Sequence, residues 1–342
     1  MTLKLELTVD GSSPGGLQNG AKEIARHIRP EWNQDKLKFK VYTDGITNQL
    51  IGVWHDDKNT QLLVRVYGSM TEMFIDRDTE KSTFEVLNKA GCGPQLYATF
   101  ENGLSYGFTE GIPVTPELVV REPIWKSVSQ EMATYHKVKK GDLEHPILFR
   151  KLRSFLNITP SRFNDINKQK RIDECGYDKS LLIKETDELE SCLTGLGCPV
   201  VFSHNDILLG NIIWNESTQK VGFIDYEYGG ANYQAYDIGN HFNEFAGVDE
   251  VDYSRYPCPD FQRQWLRSYL SHYQEIPQEQ VLDIDVEVWY VWVNKFALAS
   301  HVFWGTWAMI QAYYSSIDFD FIGYGITRLN EYFKRKNQFL NL

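Results

Sequence analysis

Nowhere does the chain run to the roughly 18 consecutive apolar residues that a membrane-spanning helix needs. Its opening MTLKLELTVDGSSPGG holds no hydrophobic stretch of the kind a secretion signal carries. Positive charge is in short supply. Lys and Arg number 35 against 46 Asp and Glu, a net charge of -11, and a surface of that sign repels a phosphate backbone. The basic stretches, from Arg150 to Arg171 and from Lys334 to Lys336, read as solvated faces and not as a nucleic-acid footprint. The five cysteines (Cys92, Cys175, Cys192, Cys198 and Cys258) are odd in number and show no C-x-x-C spacing. They indicate neither a disulfide framework nor a zinc site. These absences exclude nucleic acid as a partner and lead us to expect no membrane span and a cytoplasmic location.

What is present is concentrated between Val201 and Asp225, VFSHNDILLGNIIWNESTQKVGFID. Asp206 is followed five positions later by Asn211, and Asp225 lies 14 positions beyond, behind the apolar run Val221 to Ile224. Attack of a hydroxyl on a nucleotide γ-phosphate needs a carboxylate to accept the proton and oxygen ligands for Mg²⁺. Asp206 suits the first role, and Asn211 and Asp225 the second. A protein kinase would read H-R-D-x-x-x-x-N and later D-F-G; here the loop starts His204-Asn205-Asp206 and the triplet is Asp225-Tyr226-Glu227. Taken singly, Asp206 could be a helix cap and Asn211 a turn residue. Three matched residues at this spacing, between two apolar β-type runs, point to phosphoryl transfer with ATP and Mg²⁺.

The rest of the chain falls into two halves. After a Gly/Ser/Pro-rich start and a helix over Ala21 to Ile28, short runs at Leu37 to Tyr42, Asn48 to His55, Gln61 to Tyr67 and Glu72 to Ile75 predict hairpin strands. A helix over Asp78 to Ala90, ending at Gly91, and a hairpin of Leu96 to Phe100 with Leu104 to Phe108 complete an antiparallel sheet with one helix. Beyond a break at Gly111 to Pro116, helices are predicted over Ile124 to Val138, Ile147 to Leu156, Lys179 to Leu193, Asp260 to Ser271, Val286 to Tyr313 and Gly323 to Lys334. The expected fold class is α+β, two-lobed and protein-kinase-like. Residues 1–112 form a small antiparallel β-rich nucleotide-binding lobe, and residues 113–342 a larger, mainly helical catalytic lobe.

The segment Phe223 to Val248, FIDYEYGGANYQAYDIGNHFNEFAGV, resembles the signature of the choline/ethanolamine kinases. HFNEFAG and the later IDFDF (Ile317 to Phe321) are most similar to the ethanolamine kinase branch, and the likeness runs from about Val41 to Phe333. The resemblance implies a phosphate loop at Thr43, Asp44, Gly45, Ile46, Thr47 and Asn48, although that stretch lacks three glycines and by itself reads as a hairpin turn. It also matches Arg65, in the strand LLVRVYG, to the family's phosphate-side arginine. An arginine in the middle of an apolar strand is costly unless it meets an anion. By analogy with the strand–helix ion pair of kinases Glu80 is its partner, with surface charge the competing reading. A hinge for adenine is expected at Gly107 to Gly111, which includes Phe108 and Thr109.

Aromatic residues near acids (Tyr226, Tyr228, Glu244, Trp304, Trp307 and Tyr324) suit recognition of an organic cation by ring faces and carboxylates. Trp304 and Trp307, at i and i+3 of a helix, would by default be core packing; the resemblance implies cage positions. Asp237 and His241 are expected to brace the catalytic loop. The implied substrate is ethanolamine, with Glu244 accepting from its ammonium and a second acceptor unassigned. Choline kinase, a nucleotide-binding pseudokinase and an aminoglycoside-type kinase are the alternatives. The sequence leaves a homodimer open.

Overall fold

In the computed structural model, residues 2–42, 48–68, 77–248, 250–315 and 317–342 are described. The expected phosphate-loop residues Thr43 to Thr47 and the strand expected at Glu72 to Ile75 lie outside them. The chain divides into two compact units. The first comprises Met1–Ile112, Ile213–Glu216 and Gly222–Tyr228, and the second Pro113–Ile212, Ser217–Val221 and Gly229–Leu342.

The first unit contains β1 (Leu3–Leu5), α1 (Gly16–Ile28), β2 (Lys38–Tyr42), β3 (Asn48–Trp54), β4 (Leu62–Tyr67), α2 (Arg77–Ala90), β5 (Leu96–Phe100) and β6 (Gly103–Gly107). The six strands form one sheet in the order β1-β5-β6-β4-β3-β2. Its pairs are antiparallel except for β1, which runs parallel to β5 with Leu3 opposite Ala98 and Leu5 opposite Phe100. The sheet is therefore mixed, and the start of the chain is more ordered than its composition suggests. Pairing with β5, and the Asn102 side chain, hold it there. Asn102 Nδ2 donates to Val9 O (2.8 Å) and Oδ1 accepts from Val9 N (2.9 Å). Ala21, Ile24 and Ala25 of α1 are buried with Ile51, Val53, Leu62 and Val64 of the sheet. Gly91 ends α2 at φ 77°, a left-handed conformation that glycine adopts without a Cβ penalty.

From Ile112 onward the elements are β7 (Ile112–Pro113), α3 (Pro116–Val119), α4 (Glu122–His136), α5 (Ile147–Ile158), α6 (Ile166–Cys175), α7 (Lys179–Thr194) and β8 (Val200–Ser203). They continue with β9 (Ile212–Asn215), β10 (Lys220–Phe223), β11 (Gly230–Tyr233), α8 (Gln234–Glu244), α9 (Pro259–Gln274), α10 (Asp283–Tyr314) and α11 (Phe321–Leu340). The six helices expected here are all present. Three more, α3, α6 and α8, lie outside the expected ranges. Every residue of α8 is buried, so its polar residues mark no solvent-facing side of a helix. α10 is buried from Phe296 to Ala312, and α8 and α11 pack along it. Where α8 crosses α10, a Cβ on Gly239 would lie 2.6 Å from Val293 O and 2.8 Å from Ala297 N, so only glycine permits this approach. Among the described residues no helix is long and apolar enough to cross a membrane.

Candidate active site

β8 delivers the chain into the loop His204 to Leu208, and a short 3-10 turn, Leu209–Asn211, returns it to β9. Asp206 and Asn211 are both buried. Asn211 Nδ2 donates to Asp206 O at 2.9 Å and to Asp206 Oδ2 at 3.3 Å. The turn thus ties the two residues of the motif together, and with its NH₂ committed, the group Asn211 retains for a cation is its amide oxygen.

α8 clamps this loop from one stripe of its surface. Asp237 accepts from the backbone N–H of His204 (2.8 Å) and of Asn205 (2.7 Å). His136 of α4 bonds the same carboxylate through Nε2 at 3.0 Å. One turn on, His241 Nδ1 lies 3.3 Å from Ile207 O. Burial works to raise the Asp237 pKa, but the His136 hydrogen bond, the His136 and His204 rings and the backbone donors outweigh it and hold the carboxyl below its ordinary value. Burial drives His241 down to about 4; the neutral ring then donates Nδ1–H to the carbonyl. Asn205 sits at φ 69°, steadied by Asn232, whose Nδ2 donates to Asn205 Oδ1 at 2.7 Å. A non-glycine residue in this region stores strain that its surroundings must offset. Asp237 and His241 brace the loop, as expected.

In the first unit Arg65 is buried on β4, with Leu50 of β3 and Leu104 of β6 as cross-strand neighbours. Neither neighbour can match its charge, and two carboxylates do. Arg65 Nη2 pairs with Glu80 of α2, and Nη1 donates to Asp225 Oδ1 at 2.9 Å. Burial opposes the charge, but Tyr106, Asp225 and Glu227 together lift the guanidinium above its ordinary value. The expected Arg65–Glu80 pair therefore exists, and the surface-charge reading of Glu80 falls. Asp225 is at φ 64°, another strained non-glycine position, and its side chain is about a third exposed. Arg65 occupies one carboxylate oxygen, which leaves Oδ2 for a cation. Asn48 Nδ2 donates to Glu227 Oε2 at 3.1 Å, and Glu227 is the third carboxylate whose charge bears on Arg65. No group of three or more His, Cys, Asp or Glu poised for a metal occurs among the described residues. Mg²⁺ does not require one, since it takes one or two carboxylates and completes its shell with phosphate oxygens and water. Gly107 closes β6 with its N–H on Gln95 O at 2.9 Å, and Phe108 and Thr109 follow it half-buried.

The aromatic candidates separate. Tyr226 is a core residue of the first unit: its ring meets Phe84 edge-on at 5.1 Å and its hydroxyl donates to Phe223 O at 2.5 Å. Its aromaticity serves packing, not a cation. Tyr228 is buried and also belongs to the first unit. Glu244, Trp304, Trp307 and Tyr324 share the second. Trp304 and Trp307 meet edge-to-face at 5.6 Å, and Trp307 meets Phe321 at 5.8 Å. Glu244 is not alone. Its Oε1 accepts from Arg328 Nη1 at 2.6 Å, and both residues are buried. Trp304 Nε1 donates to Asn240 Oδ1 at 2.8 Å. Burial raises the Tyr324 pKa beyond any range in which it ionises; Arg328 opposes this while Glu244, Tyr253 and Asp206 add to it. Tyr324 and, by the same pattern, Tyr236 thus feel both Glu244 and Asp206. One helix, α8, carries both the residues that hold the Asp206 loop, Asp237 and His241, and two that enter the buried ring cluster, Asn240 and Glu244.

Sequence reasoning passed over Arg328, Asn240, Ser300 and Glu227. Arg328 had a signal: it falls on the buried stripe Gly325, Leu329 and Tyr332 of α11, where a charge demands a partner. Glu227 stands two residues after Asp225. Asn240 and Ser300 sit in fully buried helix segments and carry no signal of their own.

The choline/ethanolamine kinase family model matches residues 39–333. Ethanolamine kinase 1 of Mus musculus is 45% identical over 338 residues, covering 97% of this chain and 93% of that protein. Among solved structures, an ethanolamine kinase of Plasmodium vivax superposes with a TM-score of 0.81 at 26% identity, covering 95% of this chain and 90% of that one. A choline kinase of Cryptosporidium parvum superposes at 0.78 with 24% identity, covering 95% and 96%. The fold is protein-kinase-like, and this chain belongs to the choline/ethanolamine kinase family.

Proposed function

We propose that the chain is an ethanolamine kinase, which transfers the γ-phosphoryl group of ATP to the hydroxyl of ethanolamine and so supplies phosphoethanolamine for phosphatidylethanolamine synthesis. The observation that carries this reading is that one helix, α8, reaches both the Asp206 loop, through Asp237 and His241, and the buried Glu244, Trp304 and Tyr324 cluster, through Asn240 and Glu244. A base for the hydroxyl and acceptors for the amine belong at the two ends of one small amino alcohol.

In this reading Asp206 accepts the hydroxyl proton as the new O–P bond forms and the bond to the departing ADP oxygen breaks. Asn211 keeps the Asp206 carboxylate oriented, and Asp237 holds the loop that carries both. Asn211 and Asp225 are the oxygen donors assigned to Mg²⁺, which when bound neutralises charge on the phosphates. Arg65, shared between Glu80 and Asp225, fixes the Asp225 carboxylate on the nucleotide side. Asn48 and the hinge residues Gly107, Phe108 and Thr109 are assigned to the nucleotide with it. Glu244 accepts from the ammonium while Trp304, Trp307 and Tyr324 are assigned to its apolar and ring contacts. A reducing cytoplasm suits the five free cysteines.

Initial rates with Mg-ATP and ethanolamine, choline or an aminoglycoside at several concentrations test the proposal. Phosphoethanolamine should form with the highest kcat/KM. Preferential turnover of choline or of the aminoglycoside would overturn it.

A further inference from the structure

A cation site would be expected to concentrate negative charge, yet the carboxylate assigned to the ammonium is already paired with a buried guanidinium. Arg328 is a fork with two uses. Nη1 donates to Glu244 Oε1 at 2.6 Å, and Nη2 donates to Ser300 Oγ at 2.9 Å. The Ser300 hydroxyl donates onward to Asn240 Oδ1 at 2.7 Å, the same oxygen that accepts from Trp304 Nε1 at 2.8 Å. Three helices, α8, α10 and α11, are thereby joined in a single chain of hydrogen bonds that runs from the acidic group of the cluster to the edge of its tryptophan.

Two physical consequences follow. The Glu244–Arg328 pair is close to neutral, so an arriving cation gains little from net charge. Discrimination then rests on directional contacts, which differ between an ammonium with N–H donors and one fully methylated. The fork also fixes geometry. With Oε1 committed to Arg328, the carboxylate has one oxygen, Oε2, to offer a donor, and the indole is held by its N–H.

We infer that Arg328 is a specificity-determining positioning residue, which presents a single Glu244 oxygen and, through Ser300 and Asn240, a fixed Trp304 ring, so that the site favours amines bearing N–H donors over quaternary ones. This rests on the ethanolamine kinase reading and extends it.

Arg328→Lys keeps the charge but has no planar fork, and one ammonium cannot reproduce the span from Glu244 to Ser300. Rates are measured with ethanolamine, its N-methyl and N,N-dimethyl derivatives, and choline. The kcat/KM of the variant should fall about tenfold for ethanolamine, chiefly through KM, and progressively less as methyl groups replace N–H donors, with choline least affected. Ser300→Ala, which cuts the link to Asn240 while sparing the ion pair, should shift the series the same way by about threefold. It carries the test alone if Arg328→Lys does not fold. A uniform loss across the four amines in the folded variant would make Arg328 a packing residue and overturn the inference. The two readings fail separately: a wild-type enzyme inactive on ethanolamine removes the proposed function, whereas an active one with an unshifted series removes only the role of Arg328.

Discussion

Asp237 Oδ1 accepts from the backbone N–H of Asn205 at 2.7 Å, and Asn205 is a non-glycine residue held at φ 69° next to the proposed base. The carboxylate from α8 thus sustains a backbone conformation that the residue would otherwise leave. Asp237→Asn retains the size but presents an NH₂ to one of two backbone donors and removes the counter-charge near His136. Stability should fall by about 3 to 5 kcal/mol, and kcat by about 10-fold or more while the KM for ATP changes little. Because the Asp237 pKa is depressed by folding, the wild-type contribution is present above the ordinary aspartate value and is lost as pH falls through the lower, folded one. Urea unfolding at several acidic pH values should show the Asn variant lacking that loss.

His241 makes the opposite use of burial. Its pKa of about 4 in the fold compares with about 6.5 unfolded, so the unfolded chain takes up the proton first as pH drops. The stability is fully present above about pH 6.5 and is lost between there and about 4, on the order of 3 kcal/mol in all. His241→Gln should flatten this part of the profile relative to wild type. Equal slopes in the two proteins over that window would show that His241 does not stay neutral.

Asp206→Asn should lower kcat by about 10² to 10⁴ and leave nucleotide affinity near wild type, because it removes the proton acceptor and not the phosphate contacts. Asn in that place also retains a carbonyl oxygen for Asn211 Nδ2, so the melting temperature should barely move. Turnover above about a tenth of wild type would remove Asp206 from the base role.

Glu80 and Asp225 share Arg65 and should separate when mutated. Glu80→Gln leaves the buried guanidinium short of its α2 partner and should cost about 3 to 5 kcal/mol of stability. Asp225→Ala leaves the Arg65–Glu80 pair intact, so it should cost less stability but abolish Mg²⁺-dependent nucleotide binding, measured by calorimetry with and without Mg²⁺. Normal Mg²⁺-dependent binding in the Ala variant would argue against Asp225 as the metal-side carboxylate.

What could be read in advance follows from which residues advertise themselves. Arg65 was legible because a charge within an apolar strand must have an anion, and Glu80 was within a helix of it. The pairing of Asp206 with Asn211 was legible by spacing. β1 was not, since its three residues are held by neighbours and bury little themselves. α8 was invisible as a helix for the contrary reason, burial on every side. Tyr226 was misread because proximity in sequence to Asp225 and Glu227 says nothing of the face its ring takes. Arg328 obeyed the same logic as Arg65, a charge on a buried stripe, but its partner lies 84 positions back, in a helix the sequence did not announce.

The contact at Gly239 ties together two properties that enzymologists usually tune one at a time. Asp237 and His241 reach from α8 to the Asp206 loop, while Asn240 and Glu244, displaced by a fraction of a turn, reach to Trp304 and Arg328. Both sets ride on a helix whose separation from α10 is set by the absence of one methyl group. Any change that slides α8, Gly239→Ala first among them, should move the proposed proton acceptance and amine selection together. Variants with altered amine preference and intact turnover are therefore to be sought on α10 and α11, whose side chains enter the cluster without holding the loop.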